Sequence, residues 1–146
     1  MVSTVSIRPL CPELERKAKL ELNETPRKLE EGIQHLKEWI ARQPHLRART
    51  DDQWLAAFLR GCKHSLEKAK EKIDLYYSLK VIIPEMTSFN YADPKFTELA
   101  KLGIAVILPT RAKPTDPRVV LVRASQYDPS KFVPSDFCPI GWFVQQ

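Results

Sequence analysis

Two cations set the chemical question for this sequence. Arg60 and Lys63 stand three residues apart in the stretch Thr50-Asp51-Asp52-Gln53-Trp54-Leu55-Ala56-Ala57-Phe58-Leu59-Arg60-Gly61-Cys62-Lys63. Residues three apart on a helix are neighbours, so both charges can share a face. A guanidinium forks onto two phosphate oxygens, and an ammonium acts beside it as a point charge. Such a pair can hold an anionic headgroup. The other use of Arg60 is an ion pair with an Asp or Glu inside a helical bundle. The spacing alone leaves both open.

Other chemistry is thinly represented. His35, His45 and His64 are far apart, and none pairs with Cys11, Cys62 or Cys138 at the spacing of metal ligands. His64 reads as a satisfied surface histidine. There is no GxSxG, no Walker loop and no GxGxxG, and the whole chain holds four glycines. No catalytic residue, metal site or cofactor is therefore expected, and the chain reads as a non-enzyme.

The chain has 146 residues and a formal net charge of +5, with its bases spread along it and not gathered in a block. The balance permits weak attraction to an acidic surface. Neither a basic recognition helix nor an aromatic-studded sheet points to nucleic acid, so no nucleic-acid partner is expected. Three widely spaced cysteines, with no CxxC, read as free thiols of a reducing cytosol. No run approaches the ~20 apolar residues that span a bilayer, so any membrane contact should be peripheral. A cytoplasmic monomer is expected.

The elements that would position the two cations are helices. Met1 to Leu10 reads as an irregular or disordered arm. Pro12 can open a helix at its first turn, with Leu14, Ala18 and Leu22 on one side and an end near Asn23-Glu24. Thr25-Pro26 repeats the N-cap and first-turn signal, and Leu29, Ile33, Leu36 and Ile40 form a clear stripe that Trp39 flanks. Pro44 ends that helix. Thr50 is expected to cap the next one, with Gln53 reaching back to complete a capping box. Leu55, Phe58, Leu59 and Cys62 then share a face, with Cys62 as core filler and Gly61 as a breaker. Lys63-His64 makes a tight connection. Ser65 caps a long helix, Ser65 to Ile83, whose buried side is Leu66, Ala69, Ile73, Tyr76 and Tyr77.

Beyond Pro84 the period changes. Pro84 to Tyr91 reads as loop. Asp93-Pro94 opens a short helix with Phe96, Leu99 and Leu102, and Gly103 stops it. Ile104 to Leu108 and Arg118 to Ala124 read as two antiparallel strands, apolar enough to suggest burial on both faces. The expected fold is mainly α: residues 1–24 an arm and short helix, 25–102 a helical domain, and 103–146 the start of an α/β domain.

The string Asp51-Asp52-x-x-Leu55-x-x-Phe58-Leu59-Arg60-Gly61-Cys62-Lys63, followed by Leu66-x-x-Ala69 and Tyr76-Tyr77, resembles the helical N-terminal domain of the CRAL-TRIO lipid-transfer family. It is most similar to the insect, alpha-tocopherol-transfer-protein-like branch. Val119-Val120-Leu121-Val122-Arg123 and Tyr127-Asp128-Pro129 extend the resemblance, which runs from about Pro26 to Phe137. It implies binding and transfer of a hydrophobic ligand such as a tocopherol or retinoid, with a phosphoinositide such as phosphatidylinositol bisphosphate engaged at membranes. Arg60 falls on the recurrent Phe-Leu-Arg; Lys63 sits where relatives vary.

After Ser135-Asp136-Phe137 the family enters a long helix. Here Pro139 and Gly141 oppose helix, and Trp142-Phe143-Val144 stands near the last residue. We therefore expect a shortened form of a longer protein, set against a complete small domain with an irregular tail. The other function class open to such a chain is a helical protein-interaction module with no lipid binding of its own.

Overall fold

The computed structural model describes residues 5–84, 92, 94–126, 128–133 and 136. Among these the chain is mainly helical, with one small antiparallel sheet. It divides into two compact units, Met1–Ser78 and Leu79–Gln146.

The first unit is built on helices α1 (Pro12–Leu22), α2 (Pro26–Ala41), α3 (Asp52–Gly61) and most of α4 (Leu66–Ile82). Proline at the first helical position starts α1 and α2, where a missing N–H costs nothing. Thr25 caps α2 through its hydroxyl, which accepts from the Lys28 amide at 3.2 Å. The expected stripe holds: Leu29, Ile33, Leu36 and Ile40 are all buried. They meet Leu55, Ala56, Leu59 and Cys62 from α3 and its end, and Ala69 and Ile73 from α4. Trp39, Leu66 and Tyr77 pack around this core half-buried. Gly32 lets α2 and α3 approach closely, since a Cβ there would lie 3.0 Å from a methyl of Leu59.

Four local expectations are corrected. The α3 cap is Asp51, not Thr50: the Asp51 carboxylate accepts from the Trp54 amide at 3.0 Å. An ionised cap complements the helix dipole as well as the free amide, so it outcompetes the hydroxyl one residue earlier. Gln53 does not reach back; its side-chain oxygen accepts from the Arg8 amide at 2.9 Å. Residues 5–10 of the arm form no helix or strand, as an irregular segment should, but they are docked and not disordered. The Ser6 amide donates to Asp52 at 2.7 Å, and Val5 and Ile7 pack on the core. Lys37 pairs with the other oxygen of Asp52, and the lysine, then the Ser6 amide, hold this carboxyl below its usual range. Gly61 is not the breaker. It closes α3 in open space, and Lys63 and His64 make the turn with φ of 51° and 60°.

The second unit contains α5 (Pro94–Lys101), β1 (Ala105–Ile107), β2 (Val120–Val122) and a 3-10 turn at Ala124–Gln126. Gly103 follows α5 with φ 61°, a left-handed conformation that suits glycine. The strands pair antiparallel, Val106 opposite Leu121. Leu99 and Phe132 are buried together, with Phe96, Leu102 and Ala105 beside them. Burial of the strands on both faces is not found: Val106, Leu108 and Val119 to Val122 are exposed. A two-stranded ladder has no second layer of its own to cover its faces.

Residues 1–4, 85–91, Asp93, Tyr127, Pro134-Ser135 and 137–146 lie outside the described residues. So do the expectations placed on them: the loop after Pro84, the Asp93 cap and the break of helix at Pro139 and Gly141.

Candidate anion site at the end of helix α3

The last turn of α3 decides where Arg60 and Lys63 go. The His64 amide donates to the Leu59 carbonyl at 2.7 Å, and the Cys62 amide donates to Phe58 at 2.9 Å. These bonds close the helix over buried Leu59 and Cys62. Arg60, still helical, points at the connection between α1 and α2. Lys63 lies past the helix end in the left-handed region, so the i, i+3 relation expected of the two cations does not hold. The Lys63 side chain is exposed.

Arg60 finds a carboxylate. Its Nε donates to Glu24 Oε2 at 2.9 Å and its Nη2 to Oε1 at 2.7 Å. This is the forked geometry that guanidinium makes with two oxygens of one anion. His64 Nε2 lies 3.0 Å from the same Oε2. An ionised carboxylate only accepts, so Nε2 carries the proton and donates. Three N–H donors thus converge on one carboxylate. The side chains of Arg60, Glu24 and His64 are 21%, 10% and 2% exposed. The Arg60 hydrogen bond is the main force holding the Glu24 carboxyl below its ordinary range. Burial works against it, and the His64 bond adds to it.

His64 is therefore not the surface histidine that its isolation in sequence suggests. Its other ring nitrogen, Nδ1, is buried with no hydrogen-bond partner among the described residues. Cys62 is buried core, as expected. No group of three or more His, Cys, Asp or Glu suited to a metal occurs among the described residues.

Glu24 reaches this position because Asn23 caps α1 in the left-handed conformation, φ 51°, and turns the chain before Thr25 starts α2. A groove of about 490 Å³ lies alongside. Val5, Ile7, Leu10, Ala18 and Leu29 give it an apolar floor, and Arg8, Lys19, Glu24 and Arg60 supply charge at its edge. Sequence reasoning found Arg60 and missed both Glu24 and His64.

Separately, Trp54, Phe58, Tyr76 and Tyr77 form a half-buried aromatic cluster. Trp54 and Phe58 have ring centroids 4.5 Å apart, and Tyr76 and Tyr77 5.2 Å apart. The Tyr77 hydroxyl accepts from the Arg49 amide at 2.9 Å. Among the described residues no helix is long and apolar enough to cross a membrane.

The comparisons with known proteins give sequence similarity only. A family model described as "Pinta-like, UBA domain" matches residues 25–99, which is α2 through most of α5, and the chain belongs to that family. That description is of a UBA domain, where the sequence motifs pointed to a CRAL-TRIO N-terminal domain. Among curated proteins, the alpha-tocopherol transfer protein-like protein of Homo sapiens is 30% identical over 128 residues, covering 84% of this chain and 36% of the relative. Clavesin-2 of Rattus norvegicus is 33% identical over 96 residues, 64% of this chain and 29% of the relative. Clavesin-1 of Pongo abelii is 30% identical over 124 residues, 84% and 35%. The chain spans about a third of the length of the curated relatives it matches. No solved structure matches it.

Proposed function

We propose that this chain belongs to a lipid-binding and lipid-transfer protein of the CRAL-TRIO type, and more narrowly of its insect branch. It acts by binding and not by catalysis. Its ligand is one hydrophobic molecule of tocopherol or retinoid character, and it works in the cytoplasm with peripheral membrane contact. Arg60 and Lys63 are its candidate contacts to a phosphoinositide headgroup.

The observation that carries this reading is the similarity to a relative named alpha-tocopherol transfer protein-like over 84% of this chain. Supporting it, Arg60 in the Phe58-Leu59-Arg60 string already makes a two-pronged contact with an anion, the geometry a phosphate needs. The test is transfer of a fluorescent tocopherol analogue from donor vesicles to acceptor vesicles, with and without phosphatidylinositol bisphosphate in the acceptors. A rate that rises with added protein, and rises further with the phosphoinositide, supports the reading. No change in rate with a folded chain sinks it for this chain.

The second reading is a helical protein-interaction module. The match to a family model described as a UBA domain favours it, and the half-buried Trp54, Phe58, Tyr76 and Tyr77 cluster supplies the residue types that dominate protein interfaces. A stable protein complex whose formation ignores lipid composition would favour this second reading over the first.

A further inference from the structure

The donors that meet at Glu24 form an anion site, and the chain fills that site with its own carboxylate. Arg60 Nε and Nη2 and His64 Nε2 lie 2.9, 2.7 and 3.0 Å from the two carboxylate oxygens. A phosphate monoester offers oxygens to the same fork and one more besides.

The two sides of the contact sit on different turns. Arg60 and His64 sit on the closing turn of α3, fixed by the His64 amide to the Leu59 carbonyl and by buried Cys62. Glu24 sits on the short connection between α1 and α2, next to Asn23 in the left-handed conformation. The Glu24 amide donates to the Ala18 carbonyl at 3.3 Å, so the carboxylate leaves by rotation of its side chain and not by release of the turn. Arg60 also lines the groove beside it, so an anion reaches the guanidinium from solvent without crossing the core. Arg8 and Lys19 line the same groove, opposed there by Glu15 and Glu30.

We propose that Glu24 is an internal competitor at an anion site made by Arg60 and His64, and that a phosphate monoester binds by displacing its carboxylate. The inference rests on reading Arg60 as a headgroup contact. It adds that free Arg60 is not the resting state, and that affinity is set by competition with Glu24. The phosphate can come from a lipid headgroup or from solution.

The experiment uses the full chain and two probes. One is inorganic phosphate, followed by calorimetry. The other is phosphatidylcholine vesicles with or without phosphatidylinositol bisphosphate, followed by co-sedimentation. Glu24→Gln keeps the shape and removes the competing charge, and should bind both probes about tenfold tighter, the scale of one charge-assisted contact. The gain should vanish in the double variant Glu24→Gln, Arg60→Gln. Glu71→Gln, which makes the same charge change on the exposed side of α4, should leave binding unchanged.

No gain in Glu24→Gln, a gain equalled by Glu71→Gln, or a gain that survives loss of Arg60 would each overturn the competition. If wild type binds the phosphoinositide vesicles through Arg60 and Glu24→Gln adds nothing, the headgroup reading stands and the competition alone fails. If Glu24→Gln gains Arg60-dependent phosphate binding while no variant binds vesicles, the competition stands and the membrane reading fails. Should Glu24→Gln not fold, Glu24→Asp decides, because its shorter arm weakens the three-way contact while keeping the charge. A folded Glu24→Asp chain with unchanged phosphate affinity would overturn the inference.

Discussion

Arg60 meets Glu24 through both oxygens of one carboxylate, across 36 positions of sequence, at 2.9 and 2.7 Å. The contact ties the corner between α1 and α2 to the corner between α3 and α4. It also decides what the conspicuous cation of this chain does at rest. Arg60 is engaged, partly buried and bordered by a histidine that donates to the same acceptor.

Stability should depend on that carboxylate in a pH-dependent way. Glu24 has its folded-state pKa depressed, chiefly by the Arg60 hydrogen bond. Its contribution is therefore present above the unfolded carboxyl value of about 4.3 and is lost as pH falls through the lower folded value. Glu24→Gln should cost about 2 kcal/mol at neutral pH, between an exposed and a fully buried pair. The difference from wild type should shrink on acidification. Urea unfolding of both proteins at neutral pH and near pH 3 measures it; a constant gap would contradict the pairing.

The two glycines in the first unit should respond in opposite directions to alanine. At Gly61 a new Cβ meets nothing within 4 Å, and the gain in helix propensity of up to about 1 kcal/mol should appear as added stability. At Gly32 the same methyl would press on Leu59 at 3.0 Å, and Leu59 is fully buried with no room to retreat. Gly32→Ala should destabilise by about 1 kcal/mol or more despite the better propensity. Paired denaturation curves decide; stabilisation by both would mean that α2 and α3 are not in close contact.

Much of this fold is legible in the sequence, where the signal is local. Pro12 and Thr25-Pro26 mark helix starts because capping and the fixed φ of proline act within one turn. Leu29, Ile33, Leu36 and Ile40 mark a buried face because burial repeats with the helix period. The hairpin of β1 and β2 shows in its two β-branched runs. The misses share a cause. Glu24 lies 36 residues from Arg60, and nothing local says which acid a buried arginine will choose. His64 reads as surface because its burial depends on the left-handed turn at residues 63 and 64, a conformation that neither side chain favours. The arm looks unstructured because its anchors, Asp52 and Gln53, are some 45 residues away, and Gln53 reads locally as half of a capping box. Asp51 and Thr50 are both competent caps, and only the docked arm shows which neighbouring groups remain available.

The arm can be checked by hydrogen exchange. The Ser6 and Arg8 amides donate to Asp52 and Gln53 across the start of α3. Both should exchange measurably more slowly than an unstructured terminus would. Asp52→Ala should speed Ser6 first and most, since it also releases Lys37. Equal, fast exchange in wild type would mean the arm is not docked.

Core truncations should separate the buried helix faces from the exposed ones. Leu36→Ala or Leu55→Ala, each fully buried, should cost about 2–5 kcal/mol. Leu75→Ala, on the exposed part of α4, should stay within about 0.5 kcal/mol of wild type. Chemical denaturation of the three variants reads the contrast, and a large effect at Leu75 would place α4 in a different rotation.

The measurement that bears most directly on the function is co-sedimentation of the chain with phosphatidylcholine vesicles, with and without phosphatidylinositol bisphosphate, at low and high salt. Binding should require the phosphoinositide, weaken at high salt and fall in a folded Arg60→Glu variant. Circular dichroism that shows a folded helical chain, together with no binding to either vesicle or binding that Arg60→Glu leaves unchanged, would contradict the lipid reading and put the protein-interaction module in its place.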